Sequence, residues 1–302
     1  MLKSKHSLSM SVIWGALVIS TGCAPSFLVR KPQSLPGSCP RADQGEVDTD
    51  CPWADWVREF ERQPALAEAL PEAIAASLER DCEDPAMREA WGLSQNFDEG
   101  AKAEIVRAPI LESIARRMGV EGRTIQGRTV IHAGTIHTYG YLLSNLKTPF
   151  GYKRARWVSG RLERGLGLPR ESLGPNAYLL GEQSTLLSQV TYLLMKAALA
   201  DHPEDWAHWQ ARLETRVTPA LKGLRFEVVS RNREVQVLPS GEEIEWATDF
   251  VALPGDPQGG RLLVYSQRTR SGVRLITGFP VEKDFIERKN TPVKPRYNAW
   301  VD

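Results

Sequence analysis

The chain has 302 residues, 25% of them charged, and its 38 basic and 37 acidic side chains leave a formal charge of +1. Such a balance excludes the strongly basic surface of a general nucleic-acid binder, and no nucleic-acid partner is expected. The length after the first fifty residues is enough for one large domain.

Lys3, Lys5 and His6 open the chain, a mostly apolar run follows from Leu8 to Ile19, and Ser20, Thr21 and Gly22 lead into Cys23. A basic start, an apolar run of about a dozen residues and small residues make the layout of a secretory signal peptide. A bilayer-spanning helix needs about 20. The Gly22-Cys23 junction resembles bacterial lipoprotein signal peptides, a resemblance confined to residues 1–25. It implies cleavage before Cys23, acylation of Cys23 (palmitate among the chains) and, with Ala24 next, the periplasmic face of the outer membrane. Two or more acyl chains give stable anchoring. Ordinary cleavage after Ala24 is the alternative. Loss of residues 1–22 removes two lysines and no acid, which brings the charge to −1.

Residues 23–50, rich in Pro, Ser, Gly and Asp, read as a flexible tether. Residues 51–302 read as a single α+β domain, helical over 51–120 and sheet-rich over 121–302. Its helices precede a mainly antiparallel sheet with helices inserted.

Pro52 suits a first helical position behind Asp50. Trp53, Trp56, Val57 and Phe60 fall on one face, and Pro64 stops that helix. Leu66, Leu70, Ile74 and Leu78 repeat every fourth residue across Pro71, which restarts or kinks the helix. Two antiparallel helices would bring Cys51 and Cys82 together. The secretory start permits a disulfide, and closing about 30 residues stabilises by about 3–4 kcal/mol. Cys39 lies in the tether. Without a CxxC pair or a nearby histidine, no metal is expected, nor any cofactor. Helix continues to Met118, divided at Pro109.

"RTVIHAGTIHTYGYLL" then reads as strand. "KTPFGY" supplies a turn and "KRARWVSGRLE" a returning strand, which makes Tyr139 to Glu163 a hairpin. Residues 184–200 fit a helix template better than an alternating one, although Val190, Thr191 and Tyr192 also allow a strand. A helix starts near Pro203. Strand-like runs follow at 224–229, 233–238, 243–252, 260–268 and 272–279, with "SRN" the first of the intervening turns. Ile244, Trp246, Thr248 and Phe250 alternate with Glu243, Glu245 and Asp249, one face buried and the other wet.

No catalytic motif is complete. His132 and His137 in "IHAGTIH" point to opposite faces of a regular strand. Either histidine beside Tyr139 is a candidate general base for an envelope hydrolase. Ser144 to Lys147 matches S-x-x-K without its companion elements. The acids on residues 243–249 read as a solvated sheet face. Residues 147–170 hold seven basic residues and one acid, with aromatics interleaved. Within them Lys153, Arg154, Arg156, Trp157 and Arg161 form a candidate anion-binding surface, because guanidinium groups grip carboxylate or phosphate bidentately. Residues 39–106 carry seventeen acids against six bases, so the basic segment facing these helices is the competing reading. A lipid-anchored domain that binds a ligand or an envelope partner is the leading expectation, and a hydrolase the alternative.

Overall fold

A computed structural model of the chain describes residues 52–125, 127–148, 151–174, 176–177 and 183–285. Cys23, Cys39, Cys51 and the tether lie outside them. The described part is α+β, with helices first and then an antiparallel sheet. Among the described residues no helix is long and apolar enough to cross a membrane.

Helix α1 (Pro52–Arg62) starts on its proline and buries Trp53, Val57 and Phe60. After a 3₁₀ turn at Pro64–Glu68, Pro71 caps α2 (Glu72–Cys82). Proline there restarts the helix, since its missing N–H lies where none is needed. Asp84 then caps α3 (Pro85–Glu89) by accepting from the Ala86 N–H. Pro109 sits in the first turn of α4 (Ala108–Arg117) and begins that helix where the sequence had suggested a division. Cys82 is held in a disulfide and is not free. Non-reducing peptide mapping is expected to recover it joined to Cys51. A Cys39–Cys82 peptide would overturn that pairing.

Strands β1 (Leu93–Gln95), β2 (Arg123–Ile125) and β3 (Arg128–His132) form a small sheet in the order β1-β3-β2. The expected strand ends at His132. Residues 133–142 are helical instead, α5 (Ala133–Thr135) running into a π-helical turn at Ile136–Gly140. Every residue from Val130 to Ser144 is buried, and packing against α4 and the later helix of residues 186–198 decides the conformation over β propensity.

The expected hairpin from Tyr139 to Glu163 shrinks to β4 (Lys147–Thr148) and β5 (Gly151–Tyr152). Its returning half is helical: α6 (Ala155–Val158) and α7 (Arg161–Leu166). Gly160 and Gly167 flank α7 with φ of +67° each, a left-handed conformation that glycine adopts without steric cost.

Residues 186–198 form α8 (Leu186–Ala198), opened by a capping box of Thr185 and Ser188, and α9 (Pro203–Leu213) follows. The last sheet is a meander of β6 (Val228–Val237), β7 (Glu243–Ala252), β8 (Arg261–Thr269) and β9 (Gly272–Val281). The turn expected at "SRN" is absent. Those residues run within β6, bulged between Val228 and Ser230. Val251, Leu262, Val264 and Leu275 join the main core with α8. Ile244, Trp246, Phe250, Leu263, Ile276 and Val281 belong to two smaller apolar clusters on the opposite face.

Candidate functional site

His132 ends β3 and caps the following helix. Its Nδ1 accepts from the Thr135 N–H at 3.1 Å, which places the ring proton on Nε2, 3.2 Å from the Arg88 carbonyl oxygen. Burial holds its pKa down to about 4. Both nitrogens serve the fold.

Tyr139 is fully buried and donates to Asp81 Oδ2, while Thr185 Oγ1 donates to Asp81 Oδ1 at 2.6 Å. Burial pushes Asp81 up to about 7 against these hydrogen bonds, and burial with the Asp81 charge raises Tyr139 well above its usual value. Tyr139 therefore belongs to a different cluster from His137.

His137 lies in the π-helical turn. Its Nδ1 is 2.7 Å from Tyr141 Oη and its Nε2 3.1 Å from Ser94 Oγ on β1. Trp157 Nε1 donates to the His137 carbonyl at 2.7 Å, which ties α6 to this turn. Burial, then the charges of Arg156 and Lys153, hold the imidazole well below its ordinary value and neutral.

The other basic candidates separate by partner. Lys153 Nζ meets Asp98 Oδ2 at 2.5 Å. Arg154 donates to the Ser144 carbonyl at 2.6 Å and to Asn145 Oδ1 at 2.5 Å, with its guanidinium over Tyr152. Arg161 pairs with Asp256 at 2.8 Å and Glu282 at 2.9 Å. Lys153 pairs with the acidic segment 39–106 directly, and the charges of Asp55 and Asp98 in that segment reach Arg154 and Arg156. Arg156 differs. Its guanidinium lies between two rings, 4.6 Å from the centre of Tyr141 and 4.0 Å from that of Phe279, and its buried Nη1 has no hydrogen-bond partner.

Phe279 brings Arg156 to the sheet face opposite α8. Along that face the register aligns Phe279 with Leu263, and Thr277 with Tyr265, which in turn stands across from Thr248. Gln267 lies two residues beyond Tyr265. Thr248, Thr277 and Gln267 are all buried, and Thr248 Oγ1, Thr277 Oγ1 and both amide atoms of Gln267 are unpartnered. Gly92 backs Gln267 so closely that a Cβ there would lie 3.2 Å from Nε2 and 2.9 Å from Ile276.

The carboxylates of β7 form no cluster. Asp249, expected on a wet face, is fully buried and faces Arg233 at 3.0 Å and Arg231 at 3.4 Å. Burial raises it to about 6 despite those cations. Among the described residues no group of His, Cys, Asp or Glu is placed to hold a metal ion.

The chain matches no family model, and no curated protein or solved structure is similar to it. The site therefore rests on its own geometry. Ser94 and Phe279 carried no signal in the sequence, since they meet His137 and Arg156 only in the folded chain, whereas the alternation of β7 did place Thr248 on a buried face.

Proposed function

We propose that this is a cell-envelope protein, anchored through an acylated Cys23 on the periplasmic face of the outer membrane, whose domain binds a ligand bearing an anionic group. The observation that carries the binding reading is Arg156, half-buried against Tyr141 and Phe279 with its enclosed Nη1 unpartnered. An enclosed N–H without an acceptor is costly, and a carboxylate or phosphate at the guanidinium would add to the Asp98 carboxylate, whose charge already reaches it. The anchor rests on residues 1–25 alone. Cys23→Ser is expected to leave an unprocessed precursor without lipid label.

Acetate and inorganic phosphate are expected to raise the melting temperature of the wild type above matched chloride, and to lose that excess in Arg156→Gln. An equal shift in both proteins would mean that anions act through general exclusion from the surface, and would end this reading. A hydrolase is the second reading, favoured by the 3.1 Å contact between Ser94 Oγ and His137 Nε2. A serine-directed organophosphorus reagent that labels Ser94 in the wild type and not in His137→Ala would select it.

A further inference from the structure

Among the described residues, the exposed large hydrophobic side chains are Val229, Val235 and Val237, and all three lie on β6. Val235 and Val237 are 57% and 62% exposed. The meander runs β6-β7-β8-β9, so β6 is an edge strand. Residues 90–92 cover the opposite edge: the Gly92 N–H donates to the Leu275 carbonyl of β9, and the Leu275 N–H to that of Ala90. Among the described residues no backbone hydrogen bond covers the outer side of β6 in this way.

Charges usually guard an open strand edge against pairing. Here Arg231 and Arg233 are drawn aside, each paired with Asp201 and Asp249. Val235, Gln236 and Val237 stay exposed beyond them. At the turn the Leu238 N–H donates to the Glu242 carbonyl at 2.8 Å, so the backbone of Leu238 faces β7. In an antiparallel ladder that direction alternates, and Val237, Val235 and Arg233 therefore point their N–H and C=O groups outwards.

Which strand fits this edge follows from its own sequence. If β6 meets a second β6 antiparallel about a two-fold axis, one residue lies on the axis. With Arg233 or Glu234 there, like charges stand face to face, and with Asn232 there Arg231 opposes Arg233. Such pairs are destabilising. With Val235 on the axis, Val235 meets its own copy, Arg233 stands opposite Val237, and Glu234 stands opposite Gln236. Gln236 Oε1 already accepts from Trp246 Nε1 at 3.1 Å, which leaves its amide N–H to donate to Glu234. Glu243 flanks Val237 on β7 and adds an acid to the row that receives Arg233.

We propose that β6 pairs with β6 of a second copy, antiparallel about Val235, and joins two meanders into one continuous sheet. The overlap from Arg233 to Val237 is too short to bury the roughly 1,200 Å² of a stable interface, so the dimer is weak and reversible.

Sedimentation velocity of the purified protein from about 5 µM to about 500 µM is expected to show a shift from monomer to dimer. Val235→Lys sets like charges on the axis, and should weaken association at least about tenfold while melting within a few degrees of the wild type. Val235→Pro removes an N–H that points away from β7, and should lose the dimer too. If it fails to fold, Val235→Lys decides. Val235→Cys should form a disulfide-linked dimer on mild oxidation, above the wild-type background, because the opposed Cα atoms lie about 5.5 Å apart. Val229→Cys, outside the overlap, should not. A wild type that stays monomeric throughout, a Val235→Lys variant that associates equally well, or equal cross-linking at 229 and 235 overturns the pairing. None of these changes touches Arg156, so the anion reading is tested separately.

Discussion

Replacing Asp81 by Asn is expected to raise stability by about 1–2 kcal/mol at pH 5 and by about 4 kcal/mol at pH 8. Asp81 is buried at the end of α2, and burial lifts its folded pKa from 3.8 to about 7. Between these values the folded chain holds a proton that the unfolded chain releases. The contribution is therefore complete below about pH 4 and is lost as the pH rises through 7. Its size is on the order of 4 kcal/mol. Asparagine imitates the protonated acid beside Tyr139 and Thr185 at every pH. Urea unfolding of both proteins at the two pH values reads the difference, and an equal gap at both would show that Asp81 ionises in the fold as easily as in water.

The wild type alone would hide this slope. His132 has a folded pKa lowered from 6.5 to about 4, so it contributes stability present above 6.5 and lost as the pH falls towards 4. That contribution is on the order of 3 kcal/mol. His137 acts in the same direction and Asp249 in the direction of Asp81. Between pH 4 and 7 the two pairs oppose each other, and only the comparison of variants separates them.

The second large effect is expected at Trp91. Its backbone bridges Leu275 at the edge of the meander, and its Nε1 donates to Thr191 of α8 at 2.9 Å, so one residue joins the meander and α8. It is 2% exposed. Truncating a buried Trp to Ala costs about 3–5 kcal/mol. Trp91→Phe should cost about 1 kcal/mol, from one lost hydrogen bond, because the Thr191 hydroxyl keeps its own bond to the Leu187 carbonyl at 2.6 Å. Denaturant midpoints check both, and an Ala variant as stable as Phe would show that the ring fills no essential space.

The elements legible in the sequence are those with a wet side. Helix α1 buries Trp53, Val57 and Phe60 and exposes Asp55 and Glu61, and that contrast is what periodicity detects. Prolines at 52, 71, 85, 109, 203 and 219 mark helix starts. Residues 133–142 are buried all round, so polarity marks no face on them, and the β-branched residues of "IHAGTIHTY" suggest a strand; α8, buried except at Lys196, still fits a helix template better than an alternating one. The segment 155–166 fails for another reason: its Arg156 and Arg161 are half-buried against aromatic rings and carboxylates that only the folded chain supplies. Of the site, Arg156 and His137 were visible as residue types, whereas Gln267 and Thr277 needed the register of three strands.

The π-helical turn at Ile136–Gly140 has a consequence for how this chain can vary. A π turn accommodates one residue more than an α-helical turn over the same path. Shortening it by one residue would still allow a helix, while rotating everything beyond it by about 100°. Tyr141 would swing away from His137, and Arg156 would lose one of its two rings. The sequence can drift in composition here, yet it is intolerant of a change in count, so a lineage that dropped a single codon would forfeit the site.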